Sequence, residues 1–182
     1  MKSLIAVIIA TLILASCATL SKSECQNGEW QATGYSDASR GLTSSRFKAH
    51  AKACAKHGIV ADNTLYTAGY QDGLKEYCQV EVGISKGRKN EHYKGVCPAE
   101  LEGDFLYGYL EGLNIALYSL DKSYALAKDD LINARYRRQR LDSPNDIRRI
   151  DQYIHDLQIN LQNINIKQSD LKATIAKWSA RI

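Results

Sequence analysis

The chain has 182 residues, 45% of them hydrophobic, with 24 Lys and Arg against 20 Asp and Glu and a formal net charge of +4. So mild a balance gives no electrostatic footprint for nucleic acid, and the length suits one domain with an extension. Only two prolines occur, Pro98 and Pro144, which leaves room for long helices.

Met1-Lys2 opens the chain with a positive charge, and Leu4 to Leu14 is apolar except for Thr11. That run is too short to span a bilayer and suits the apolar core of a signal peptide. It closes in Leu14-Ala15-Ser16-Cys17, which resembles the bacterial lipoprotein cleavage signal. The resemblance implies a signal peptide at 1–16, thioether lipidation of Cys17 and acylation of its new amino group with a palmitate-type chain. Each buried methylene adds roughly 0.8 kcal/mol, so several chains anchor stably. Ala18, where an Asp would favour the inner membrane, leans towards the outer membrane. The expected mature protein is a periplasm-facing, lipid-anchored envelope protein of 166 residues (182 − 16).

Residues 17–27 are small and polar and read as a tether, with Asn27-Gly28 as a turn. A disulfide-stapled helical domain is expected over 28–104. Its first helix runs from Trp30 to about Leu42. Thr43-Ser44-Ser45 can cap a second over Arg46–Lys56, which His57-Gly58 stops. Asp62 can cap a third that reaches about Tyr77. From Gln79 the pattern changes: Val80, Val82 and Ile84 alternate with polar residues, and Lys86-Gly87-Arg88-Lys89-Asn90 resembles a turn. A short β-hairpin, returning through His92-Tyr93, is the expectation.

Besides Cys17 there are four cysteines, Cys25, Cys54, Cys78 and Cys97. An even count in an oxidising compartment reads as two disulfides with three connectivities. Cys25 opens one helix where Cys54 ends the next, and Cys78 ends a helix where Cys97 precedes another. Antiparallel neighbours therefore favour Cys25–Cys54 and Cys78–Cys97. A metal reading of His50, Cys54 and His57 is weaker, because no Cys-x2-Cys unit accompanies them. No metal or cofactor is expected.

Gly34-Tyr35-Ser36-Asp37-Ala38 echoes as Gly69-Tyr70-Gln71-Asp72-Gly73 and Gly108-Tyr109-Leu110-Glu111-Gly112. Small residues four apart make a flat stripe on a helix, and glycine there costs about 1 kcal/mol relative to alanine. Close helix packing is the favoured reason. The alternative is a small-ligand or glycan site in which Tyr35, Tyr70 and Tyr109 border exposed backbone, joined by the basic cluster Lys86, Arg88 and Lys89.

Several motifs fall in order: Cys25-x2-Gly28-x-Trp30-x3-Gly34, His50-x3-Cys54, Tyr66-x2-Gly69-x3-Gly73-Leu74-x2-Tyr77-Cys78, Gly87-x5-Tyr93-x3-Cys97-Pro98 and Phe105-x2-Gly108-Tyr109-x2-Gly112. Together, over about 25–118, they resemble the bacterial lipoprotein family catalogued as domain of unknown function 2799. Ala38 departs from it, standing where a second glycine is expected. The resemblance implies an envelope lipoprotein and supplies no activity.

The last stretch, 105–182, carries the longest periodicity. Leu106, Leu110, Leu113, Leu117, Leu120, Tyr124, Ala127, Leu131, Ala134, Arg138 and Leu141 step by four and three. Ser143-Pro144-x-Asp146 then signals a new helix start, and Ile150, Ile154, Leu157, Leu161, Ile164, Gln168, Leu171, Ile175, Trp178 and Ile182 step likewise. An antiparallel coiled-coil hairpin is expected. Its 12 basic and 12 acidic residues over 99–182 cancel. Ile115, Tyr118, Ile132, Ile147, Ile159 and Ile166 fall off the seam and offer a second apolar face for a protein partner or for self-association.

The fold class is thus mainly α. Phosphate loops, nucleophile elbows and helical metal-histidine pairs are all missing from the sequence. Asp37, His50 and Asp72 are a trio that only a cooperative fold would assemble. The expected function is therefore a structural or protein-interaction module without catalysis.

Overall fold

The computed structural model describes residues 20–182, so the expected signal peptide and the expected lipidation at Cys17 lie outside the described residues. Seven helices follow: α1 Lys22–Asn27, α2 Trp30–Ser39, α3 Arg46–Ala55, α4 Asn63–Tyr77, α5 Val80–Arg88, α6 Ala99–Arg138 and α7 Pro144–Ser179. They fall into two compact units. One holds the described residues up to Tyr77 with Lys94–Pro98; the other holds Cys78–Tyr93 with Ala99–Ile182.

Two sequence expectations need correction. The described residues contain no strand, and the expected β-hairpin at 80–93 is helix α5 followed by an extended segment. Alternating valines raise strand propensity, but tertiary packing overrides so weak a preference. The supposed basic turn is the last turn of α5, where Lys86 and Arg88 face the negative end of the helix dipole. Part of the tether is also helical. Ser21 and Glu24 form a capping box over α1, with Ser21 N–H donating to Glu24 Oε2 at 2.7 Å and Glu24 N–H to Ser21 Oγ at 3.3 Å.

In the first unit α2 crosses α4 on glycine. A Cβ on Gly34 would lie 2.0 Å from the Tyr66 carbonyl oxygen, one on Gly69 1.8 Å from that of Gln31, and one on Gly73 2.4 Å from that of Tyr35. In the second unit α5 crosses α6 the same way: Gly83 against Phe105, Gly108 against Val80, Gly112 against Ile84. The first helices correspond with an offset of 49 residues (83 − 34) and the second helices with one of 39 (108 − 69).

The correspondence extends beyond the crossing. Gly41 has φ +70° and Asn90 φ +50°, each ending its helix in the left-handed conformation. Leu42 N–H donates to the Asp37 carbonyl and Glu91 N–H to the Lys86 carbonyl, both at 3.0 Å. Tyr70 Oη donates to the Leu42 carbonyl at 2.7 Å, and Tyr109 Oη to the Glu91 carbonyl at 2.8 Å. The chain therefore builds one glycine-crossed helix pair twice. The first copy has an additional ten-residue helix, α3, between its arms.

In the second unit α6 runs on to pair with α7. Buried Leu106, Leu113, Ala127 and Ala134 on α6, and Ile150, Leu157, Ile164, Leu171 and Trp178 on α7, recur at multiples of seven. Arg138 Nε donates to Asp151 Oδ1 at 3.0 Å and Gln168 Nε2 to Asp121 Oδ1 at 2.7 Å. The spacing along each helix is equal, 138 − 121 and 168 − 151, so both pairs fix one antiparallel register. The base of the hairpin is aromatic: Tyr93 packs 4.5 Å from Phe105 and 4.8 Å from Trp178, centroid to centroid. Among the described residues no helix is long and apolar enough to cross a membrane.

Candidate functional site

The first unit encloses a polar cluster centred on Asp37, which is 1% exposed. Helix α2 supplies Asp37 and its C-cap supplies Arg40, α3 supplies Arg46 and His50, and α4 supplies Tyr66. His50 Nε2 lies 2.8 Å from Asp37 Oδ2, and Tyr66 Oη donates to the same oxygen at 2.9 Å. Arg40 Nη2 donates to Oδ1 at 3.1 Å, while Arg46 Nε forms an ion pair with it at 3.5 Å. A buried carboxylate is costly unless charges and donors surround it, and here both oxygens are engaged. Burial, followed by the hydrogen bond to Asp37 and the carboxylate's charge, pushes the Tyr66 hydroxyl pKa well above the usual phenol range.

Two cluster atoms lack a hydrogen bond, although Arg46 Nε keeps its ion pair with Asp37 at 3.5 Å. His50 Nδ1 and Arg46 Nε are buried and make no hydrogen bond. His50 itself is 2% exposed. The second helix pair has nothing comparable. By the same offsets Lys86 stands where Asp37 does and Phe105 where Tyr66 does. Lys86 Nζ instead reaches Glu91 Oε2 at 2.6 Å, and that bond, with the lysine's charge, lowers the Glu91 pKa.

Residues 29–114 match the model of a family described as a protein of unknown function, DUF2799. The chain carries a DUF2799 domain. The match begins at the N-cap of α2 and ends at Asn114 in α6, so it contains both glycine crossings and little of the hairpin beyond. No curated protein and no solved structure matches the chain.

Within the DUF2799 domain the expected site residues separate. Tyr35 is 44% exposed, in a groove with Trp30, Leu65 and Asp72. Tyr70 and Tyr109 turn inward at 8% and 0% exposure, their hydroxyls spent on helix-end carbonyls, and burial raises the pKa of both. The glycine faces they were expected to border are closed by the partner helices. Of the basic cluster, Lys86 and Lys89 form ion pairs with Glu91 at 2.6 and 4.0 Å, while Arg88 is exposed.

The cysteines of the DUF2799 domain and its approach are oxidised. Cys25 is bonded to Cys54 across 29 residues, with Cα atoms 5.4 Å apart, and Cys78 and Cys97 are disulfide-bonded too. Of the trio Asp37, His50 and Asp72, the fold assembles the first two; Asp72 pairs with Lys75 at 2.9 Å on the exposed side of α4. No group of three or more His, Cys, Asp and Glu is placed to hold a metal ion among the described residues. Sequence reasoning missed Arg46 and Tyr66 as members of the cluster. Their signal was present as helical spacing: Arg46 and His50 are four apart, as are Tyr66 and Tyr70.

Proposed function

We propose that this chain is a lipid-anchored lipoprotein of the bacterial outer membrane, facing the periplasm, whose helical hairpin is a non-catalytic arm for protein interaction. The observation that carries this reading is the hairpin's unequal faces. Its two long helices bury one narrow seam, yet Tyr118, Leu126, Ile132, Tyr136, Ile159 and Ile166 stay between 45% and 66% exposed. Large apolar side chains repeated along an otherwise solvated rod favour a partner helix, supplied by a second copy or by another protein. At 1.5 Å per residue the 40 residues of α6 extend about 60 Å, a reach suited to bridging. The balanced charge of 99–182 makes apolar contact the principal attraction.

The register allows a clean test. Residues 121–134 and 155–168 are matched two-heptad blocks, so removing both shortens the arm while keeping its turn and its Trp178–Tyr93 base. Sedimentation and cross-linking should show loss of self-association or of the captured partner, with the disulfide-stapled domain still folded. Unchanged association would reject the arm. Mass spectrometry of the N-terminus tests the anchor separately: an unmodified Cys17 would remove it.

A further inference from the structure

We propose that the outer face of α3 is a contact surface for an anionic phospholipid leaflet and holds the first unit against the bilayer beside its anchor. The inference rests on the lipid-anchored reading above for its tether, and on the exposed charge of α3 for its chemistry.

Lys48 and Lys52 lie in α3 and Lys56 at its C-cap, four residues apart, so they share one side of the helix. All three are exposed and none forms an ion pair among the described residues. The opposite side carries buried His50 and Cys54. The charge is uncompensated along the chain too. Residues 38–61 contain Arg40, Arg46, Lys48, Lys52 and Lys56 and no Asp or Glu. That is +5 in a chain of net charge +4, so the remainder sums to −1 (4 − 5). Arg40 and Arg46 are held on Asp37, which leaves the three lysines as the free charge. The basic cluster of α5 differs, since Lys86 and Lys89 are paired with Glu91.

Past the lysines the chain exposes an apolar tip. Ile59 N–H donates to the Cys54 carbonyl at 3.2 Å, which fixes the loop to the end of α3. Val60 beyond it is 90% exposed, more than any other large apolar side chain among the described residues. A basic helix face ending in an exposed apolar residue suits a headgroup layer, where ammonium groups meet phosphates and apolar side chains meet acyl chains.

Connectivity favours the bilayer over a soluble polyanion. Ser21, the N-cap of α1, is four residues from Cys17, a span of at most about 14 Å for any chain. From Ser21 to Cys25 the helix rises about 6 Å. Cys25 is bonded to Cys54 with Cα atoms 5.4 Å apart. A lipidated Cys17 therefore lies within about 25 Å of Cys54, which Lys52 and Lys56 flank. Lysines held that close to an anionic leaflet strengthen binding by about fivefold each, about a hundredfold for three.

The test couples one myristoyl chain to Cys17 of the mature protein through a maleimide; the other four cysteines are in disulfides and do not react. A single chain binds membranes only marginally, so added surface contacts become measurable. Partition is read by co-sedimentation with vesicles of phosphatidylcholine, alone or mixed equally with phosphatidylglycerol. The expected result is binding at least about tenfold tighter to the anionic vesicles, a preference that salt weakens. Lys48→Gln/Lys52→Gln/Lys56→Gln should abolish the preference. Lys128→Gln/Lys167→Gln/Lys172→Gln removes the same charge from exposed positions of the hairpin and should keep it. Equal binding to both vesicles, or equal loss in the two triple variants, overturns the proposal. Competition by inorganic phosphate at constant ionic strength overturns it as well, by marking a discrete anion site. Because the acyl chain is attached chemically, these outcomes judge the surface alone; an unmodified Cys17 in the cell removes only the anchor.

Discussion

Tyr66 donates its hydroxyl to Asp37 at 2.9 Å, and Phe105, its counterpart in the second helix pair, has none to give. Both rings are at most 1% exposed and both stack on the tyrosine four residues further on, at 6.0 and 5.8 Å. The ring belongs to the fold; the hydroxyl belongs to the cluster. Tyr66→Phe should therefore keep the helical spectrum and lower the unfolding free energy by about 1.5–3 kcal/mol, the scale of a buried hydrogen bond to a charged group. Urea denaturation with an unchanged slope would show this. A neutral substitution would mean that Asp37 is fully compensated by His50 and the arginines.

Glycine supplies a sharper contrast. Gly69→Ala places a methyl group 1.8 Å from the Gln31 carbonyl oxygen, a backbone atom that cannot turn aside. The crossing must open, so the loss should exceed the roughly 1–3 kcal/mol of ordinary overpacking. Gly103→Ala lies in α6 with open space around it and should gain about 1 kcal/mol from helix propensity alone. Thermal melts of the two variants should move in opposite directions.

That contrast explains how much of the molecule was legible in its sequence. The hairpin was readable because heptads state their own seam, and Ser143-Pro144 its start. The Gly-Tyr echo was visible, but it put Gly34 in one class with Gly69 and Gly108. The structure shows that Gly34 corresponds to Gly83, on the crossing partner. Gly83 and Gly87 were hidden by alternating valines, a local signal that the glycine crossing overrides. The polar cluster was half legible: Asp37 and His50 were noticed, while Tyr66 entered only as part of a family motif. Joining them required the tertiary path of α3, which no local pattern encodes.

Alkaline pH should weaken the fold through its buried tyrosines. Burial raises the pKa of Tyr66, Tyr70 and Tyr109 above the value of about 10 they take in the unfolded chain. For a raised group the stabilising contribution is complete below the unfolded value and is lost as pH climbs through and beyond it. Unfolding free energy should consequently decline above about pH 10. Ultraviolet titration of tyrosinate should show most of the 11 tyrosines ionising early and a minority late, together with unfolding. Uniform early ionisation would contradict the buried placement.

The Cys25–Cys54 bond closes a loop of 29 residues and fastens α1 beside α3. Chain-entropy estimates for such a loop give about 3–4 kcal/mol. Replacing both cysteines by serine should cost that much in denaturant titration and expose α1 to proteolysis. An intact α1 after reduction would assign its placement to the capping box and packing rather than to the bond.

The hairpin's two kinds of apolar residue should respond differently to substitution. Trp178 is 3% exposed and seals the base against Tyr93, so Trp178→Ala should cost about 3–5 kcal/mol, in the range of aromatic truncation in a core. Ile166, two residues past the buried seam residue Ile164, points away from the seam and is 53% exposed. Ile166→Lys adds no buried charge and should change the unfolding free energy by less than about 0.5 kcal/mol. If the outer face is an interaction surface, the same change should disrupt association, and a paired Ile159→Lys should deepen the loss. Equilibrium sedimentation and denaturation of the same three variants separate the two roles. Association that survives both lysines, in a fold that remains intact, would leave the exposed isoleucines without a function in binding.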